Sequence, residues 1–138
     1  MNGLAHLERT LGDAVATGQV GKVVSVRALL HLPGDDCELE LAANTVLTLG
    51  AGLVESDIET ATRASRNHAS GCQASVLAHF ANGRIVSVTV TRGSAERLEL
   101  SLTVVGNHGV IRLEGSELAD EIGLVEADFC GPSVVGEP

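Results

Sequence analysis

The chain has no tryptophan and no tyrosine, and among its 138 residues only Phe80 and Phe129 are aromatic. Val, Leu and Ala must therefore fill the interior. Small β-branched side chains pack well on a pleated surface, so this composition leans towards strands. Lys and Arg are also scarce, 9 against 18 Asp and Glu, for a net charge of −9. That balance argues against nucleic acid, whose phosphates need clustered cations, and against anionic membranes. The three cysteines, Cys37, Cys72 and Cys130, are an odd set without CxxC spacing. They do not make a disulfide framework, and a cytoplasmic, reducing setting is expected. No apolar run reaches the ~18 residues of a membrane span. The opening "MNGLAHLERTLGDA" has no basic segment and no long apolar stretch, so no signal peptide is expected.

What is present is periodic. Leu4, Leu7, Leu11, Ala14 and Val15 recur at three- and four-residue spacing and predict an amphipathic helix that stops at Gly18. "GKVVSVRALLHL" alternates. Val24, Val26, Ala28, Leu30 and Leu32 fall on one face, and Ser25, Arg27 and His31 on the other. "PGDDC" is a turn. Residues 39–53 fit helix or strand, with helix slightly favoured; Thr45, Val46 and Thr48 are mediocre helix formers. "DIETATRASRN" reads as an exposed strand. "CQASVLAHF" and "RIVSVTVTR" read as a hairpin about Asn82-Gly83, a pair suited to a type I′ turn with both φ positive. Val76, Ala78 and Phe80 face inward with Val86, Val88 and Val90. "RLELSLTVVG" places Leu98, Leu100, Leu102 and Val104 on one side, and a Gly-x-x-Gly turn leads into "VIRLEG". One apolar and one polar face is the antiparallel pattern. The expected fold is α+β: an open, mostly antiparallel sheet of about five or six strands with helices on one face. Residues 116–138 are read as an acidic, partly irregular extension.

Candidate chemistry is thin. "LGAGL" at 49–53 lacks the rest of a dinucleotide fingerprint, and a plain turn is the better reading. His6, His31, His68, His79 and His108 form neither HxxxH nor HExxH, and Asp35-Asp36 is a sparse ligand pair. No GxSxG elbow occurs, and no cation flanks Cys72 or Cys130. No catalytic, cofactor-binding or metal-binding residue is assigned.

Three stretches carry a resemblance: "AVATGQVGKVVSVRA" at 14–28, "ASVLAHFANGRIVSVTVTRG" at 74–93 and "LELSLTVVGNHGVIRLEG" at 98–115. In that order they resemble the C-terminal domain of the glucose-fructose oxidoreductase/inositol dehydrogenase family (Gfo/Idh/MocA), over residues 1–115 taken as one domain. The resemblance implies a dehydrogenase-like domain that in full-length relatives follows a Rossmann domain holding NAD(P), with sugars or cyclitols as substrates. The Rossmann part has no counterpart in this sequence. The family's His-x-x-Asp pair is expected in "ELELAANTVLTLG", which has neither residue. The isolated chain is therefore expected to bind no cofactor, to meet NAD(P) only through a partner domain, and not to be an enzyme alone.

The outward rows are small and nearly uncharged. Ile85, Ser87, Thr89, Thr91, Ser101 and Thr103 are expected to share one face, with Arg27 and His79 near them. A flat Ser/Thr surface suits a subunit contact, and a homo-oligomer through this face is expected. The alternatives are pairing with a separate nucleotide-binding subunit, a substrate-side lobe of a sugar or cyclitol dehydrogenase, or a remnant of one.

Overall fold

The alternating and helical periods become two helices and six strands. The computed structural model describes residues 3–18, 20–33, 39–68, 71–95 and 98–113. In chain order the elements are α1 (Gly3–Ala16), β1 (Val23–Pro33), α2 (Leu39–Val54), β2 (Ile58–His68), β3 (Gly71–Phe80), β4 (Ile85–Ala95), β5 (Glu99–Gly106) and β6 (Val110–Leu113). They form one open sheet in the order β2-β3-β4-β1-β5-β6. Only β1 and β4 run parallel; every other pair is antiparallel. α2 packs across β1, β3 and β4, and α1 packs on α2. Both helices thus serve one face, as an α+β sheet with a single apolar side requires.

The core lies between α2 and that face. Val26, Ala28, Leu30 and Leu32 of β1 meet Val86, Val88 and Val90 of β4 and Leu100, Leu102 and Val104 of β5, all buried. Phe80, one of two aromatic residues, is 1% exposed at the end of β3. No polar or charged side chain is buried among the described residues. Leu7 and Leu11 give α1 its buried stripe, and Gly18 follows it with φ 82°, the left-handed stop its position predicts.

Four sequence expectations need correction or completion. Residues 39–54 are helix, because Ala42, Ala43, Val46, Leu47 and Gly50 make one buried face. "LGAGL" is consequently the last part of α2 and not a turn. Val24 is 44% exposed, although its parity matches Val26. A bulge is the cause: Val23 pairs with Gly106 and Ser25 with Val105, so Val24 is an extra residue and Val23 turns inward instead. The Asn82-Gly83 hairpin is not a two-residue type I′ turn. Gly83 has φ 86° whereas Asn82 is not left-handed. The Gly83 amide donates to Phe80 (2.8 Å) and the Phe80 amide to Arg84 (2.9 Å), which is a tight turn closed by a glycine bulge. The "GDDC" part of the first turn, the middle of "HASG", and the extension from 116 lie outside the described residues, whereas Pro33 ends β1.

Candidate functional site: the open sheet face

The face opposite the helices is built from register. Pairing across β4, β1 and β5 stacks four rows: Ile85–Ser25–Val105, Ser87–Arg27–Thr103, Thr89–Leu29–Ser101 and Thr91–His31–Glu99. β3 extends them with His79, Leu77, Ser75 and Gln73. The six residues expected on this face are therefore on it. They are not contiguous, however: Ile85, Ser87, Thr89 and Thr91 lie on β4, Ser101 and Thr103 on β5, and β1 runs between. Arg27 and His31 of β1 thus occupy the centre, and His79 lies beyond Ile85. His31 Nδ1 shares a hydrogen bond with Thr91 Oγ1, which holds that imidazole against the sheet.

Two face residues escape the sequence reading. Leu29 is 37% exposed between Thr89 and Ser101, and Leu77 is 40% exposed beside Ser87. Leu29 shares the parity of Arg27 and His31, but in "RALLHL" apolar residues stand on both faces and hide it. With Ile85 they are dispersed over β1, β3 and β4 in separate rows, among Ser and Thr. No described element packs on this face.

Concave sites lie elsewhere. A cleft of about 300 Å³ opens where α1, α2, the start of β1 and the β3–β4 hairpin converge, with Lys22, Glu55, Asn82 and Arg84 among its walls. Asn82 Nδ2 donates to the Val54 carbonyl at 3.3 Å and caps the end of α2 there. A cavity of about 160 Å³ lies between α2 and β2–β3, beside Glu40, Arg63 and Ser65. Arg63 Nη1 donates to Asn44 Oδ1 at 2.8 Å on its exposed side. His6, His31, His79 and His108 sit on α1, β1, β3 and the β5–β6 turn, and no group of three metal-ligating side chains forms among the described residues. Cys72 and His79 lie at opposite ends of β3, and Arg92 Nη2 approaches Cys72 Sγ at 3.8 Å.

No family model matches the chain, and no curated protein does. Solved structures do. The myo-inositol 2-dehydrogenase of Lactobacillus plantarum superposes with a TM-score of 0.66 at 18% identity, over 77% of this chain and 38% of that one. The scyllo-inositol dehydrogenase of Lactobacillus casei, with bound NAD(H) and scyllo-inositol, gives 0.65 at 13% over 77% and 38%. The myo-inositol dehydrogenase of Lactobacillus casei, in complex with NAD(H) and myo-inositol, gives 0.62 at 20% over 77% and 35%. The chain thus has the fold of part of these inositol dehydrogenases of the Gfo/Idh/MocA type and spans little more than a third of their length. That share is consistent with their C-terminal domain alone.

Proposed function

We propose that this dehydrogenase-like domain is an assembly module, without catalysis of its own, that pairs with a second copy through the open sheet face. One observation carries the reading: four outward rows of small, mostly uncharged side chains, centred on Leu29, that no described element covers. A solvated face is normally dressed in Lys and Glu; Ser and Thr lose little on desolvation when they find partners across an interface. Four strands at about 4.8 Å spacing and four rows at about 7 Å give a patch of roughly 500 Å² before its rim. That approaches the ~800 Å² per partner of a stable interface. Two such sheets pack about 10 Å apart with interleaved side chains.

The second reading is a substrate-side lobe that works with a separate nucleotide-binding subunit. It is favoured by the third-of-a-chain match to dehydrogenases seen with NAD(H). On this reading α2 supplies the wall of the site but not the proton-transfer pair, since residues 39–54 contain no His and no Asp.

Sedimentation over a range of concentrations, with and without NAD(P), separates them. A dimer indifferent to nucleotide supports the assembly module. A monomer that shifts with nucleotide overturns it and restores a cofactor site in this chain.

A further inference from the structure

The open face carries one strong charge of each sign at its centre, and they are placed off-axis. Arg27 of β1 stands in the Ser87–Arg27–Thr103 row, and Glu99 of β5 in the Thr91–His31–Glu99 row. Both are exposed. In the four rows that β3, β4, β1 and β5 build, no other Arg, Lys, Asp or Glu occurs. The register of β1 is unbroken from Ser25 to His31 against both neighbours, so the two residues share this face. Two row steps and one strand separate them, about 15 Å, too far for an ion pair within one copy. Arg66 and Arg112, the further cations of this side, lie on the marginal strands β2 and β6, opposite Gln73 and Thr103.

A second copy laid on this face is related to the first by a two-fold axis between the sheets, and the direction of that axis decides which residues meet. An axis along β1 sets Arg27 against Arg27 of the second copy. An axis square to β1 through Leu29 sets Arg27 against His31. An oblique axis between Leu29 and Ser101, turned about 20° from the square setting, lays Arg27 on Glu99 of the second copy, and symmetry repeats the pair. The same setting places Leu29 almost directly over its own mate. It also crosses the strands of the two sheets at about 40°, near the roughly 30° at which face-packed sheets lie. The first two settings keep the Leu29 contact but have neither the charge pairing nor the crossing angle. Opposite charges across an interface fix its register, and like charges exclude the wrong one. We infer that Arg27 and Glu99 determine the specificity of this face: each pairs with the other's counterpart in a second copy, about an axis beside Leu29. The inference rests on the assembly reading above and deepens it.

Charge exchange tests it. Arg27→Glu and Glu99→Arg change exposed side chains, so each is expected to keep the urea midpoint of the parent. In sedimentation at low salt each variant alone is expected to lose at least about tenfold in association, because both symmetric pairs become repulsive. Glu99→Arg also brings the net charge of −9 nearer to zero, so a general charge effect would strengthen its association instead. An equimolar mixture of the two variants is expected to associate as a hetero-pair with the strength of the parent, since every facing pair is again opposite in sign. Arg112→Glu, at the margin, is expected to associate within about twofold of the parent. A parent that stays monomeric at every concentration overturns the assembly reading and this inference with it. A parent that dimerises while Arg27→Glu or Glu99→Arg sediments like it leaves the assembly reading standing and overturns the Arg27–Glu99 register. A loss in both variants that the mixture does not reverse overturns it as well.

Discussion

Gly50 and Gly52 lie two residues apart in α2 and answer to opposite demands. A β-carbon on Gly50 would come within 2.7 Å of Val86 Cγ1, on the strand directly beneath, whereas one on Gly52 would meet nothing within 4 Å. Alanine favours a helix over glycine by about 1 kcal/mol at either position. Gly52→Ala should therefore stabilise the chain by about 0.5–1 kcal/mol. Gly50→Ala should destabilise it by about 1–3 kcal/mol, because overpacking a filled interface outweighs that gain. Urea midpoints of the two variants check the pair of signs. Leu100 is fully buried and stands beside Leu30 across the β1–β5 pair. Burial of its side chain contributes roughly 1.5–3 kcal/mol, and an unpaired carboxylate in its place costs more. Leu100→Asp should consume most of the stability of a domain this size, read as a loss of the cooperative unfolding transition.

At the scale of elements, the two ends of the resemblance to dehydrogenases meet in space. The entry to β1 and the β5–β6 turn are joined by three hydrogen bonds: Lys22 amide to Asn107 Oδ1 (2.8 Å), Asn107 amide to the Lys22 carbonyl (3.1 Å), and His108 amide to the Val20 carbonyl (2.8 Å). The approach is so close that a β-carbon on Gly106 would overlap the Val20 carbonyl oxygen. Backbone cannot rotate away as a side chain can. Gly106→Ala should thus cost about 3 kcal/mol, with loss of exchange protection at the His108 amide as the local readout. The "VGK" and "GNHG" stretches were legible as motifs because this staple needs a small residue and a short amide side chain at fixed places. That they touch was not legible, since 85 residues separate Lys22 from Asn107.

For the whole molecule, the proposed assembly is tested on the open face. Thr89 sits half-buried beside Leu29 in the middle row. Thr89→Asp should leave the monomer within about 1 kcal/mol of the parent, the span of strand propensity at such a site. It should weaken face-to-face pairing by roughly a hundredfold, because two carboxylates would be desolvated without partners. Sedimentation of parent and variant at matched concentrations measures the difference. A parent dimer that survives the substitution unchanged would place the contact elsewhere.

Periodicity alone determined much of this protein. The alternation in β1, β3, β4 and β5 assigned nearly every buried strand residue, since side chains two apart must share a face. The spacing of Leu7 and Leu11 did the same for α1. Composition foretold a sheet rich in Val and Leu with one apolar side. Three features depended on the tertiary structure. Residues 39–54 became a helix because a three-strand apolar face required a cover, and local propensity was too weak to choose. Val24 turned outward because a bulge against β5 shifted its parity, a pairing effect invisible within one strand. β1 came to lie between β4 and β5, parallel to one and antiparallel to the other, and so brought Leu29 to the centre of the face. Strand order is set by which apolar rows bury each other across the chain, and that is a property of the assembled sheet, not of any segment within it.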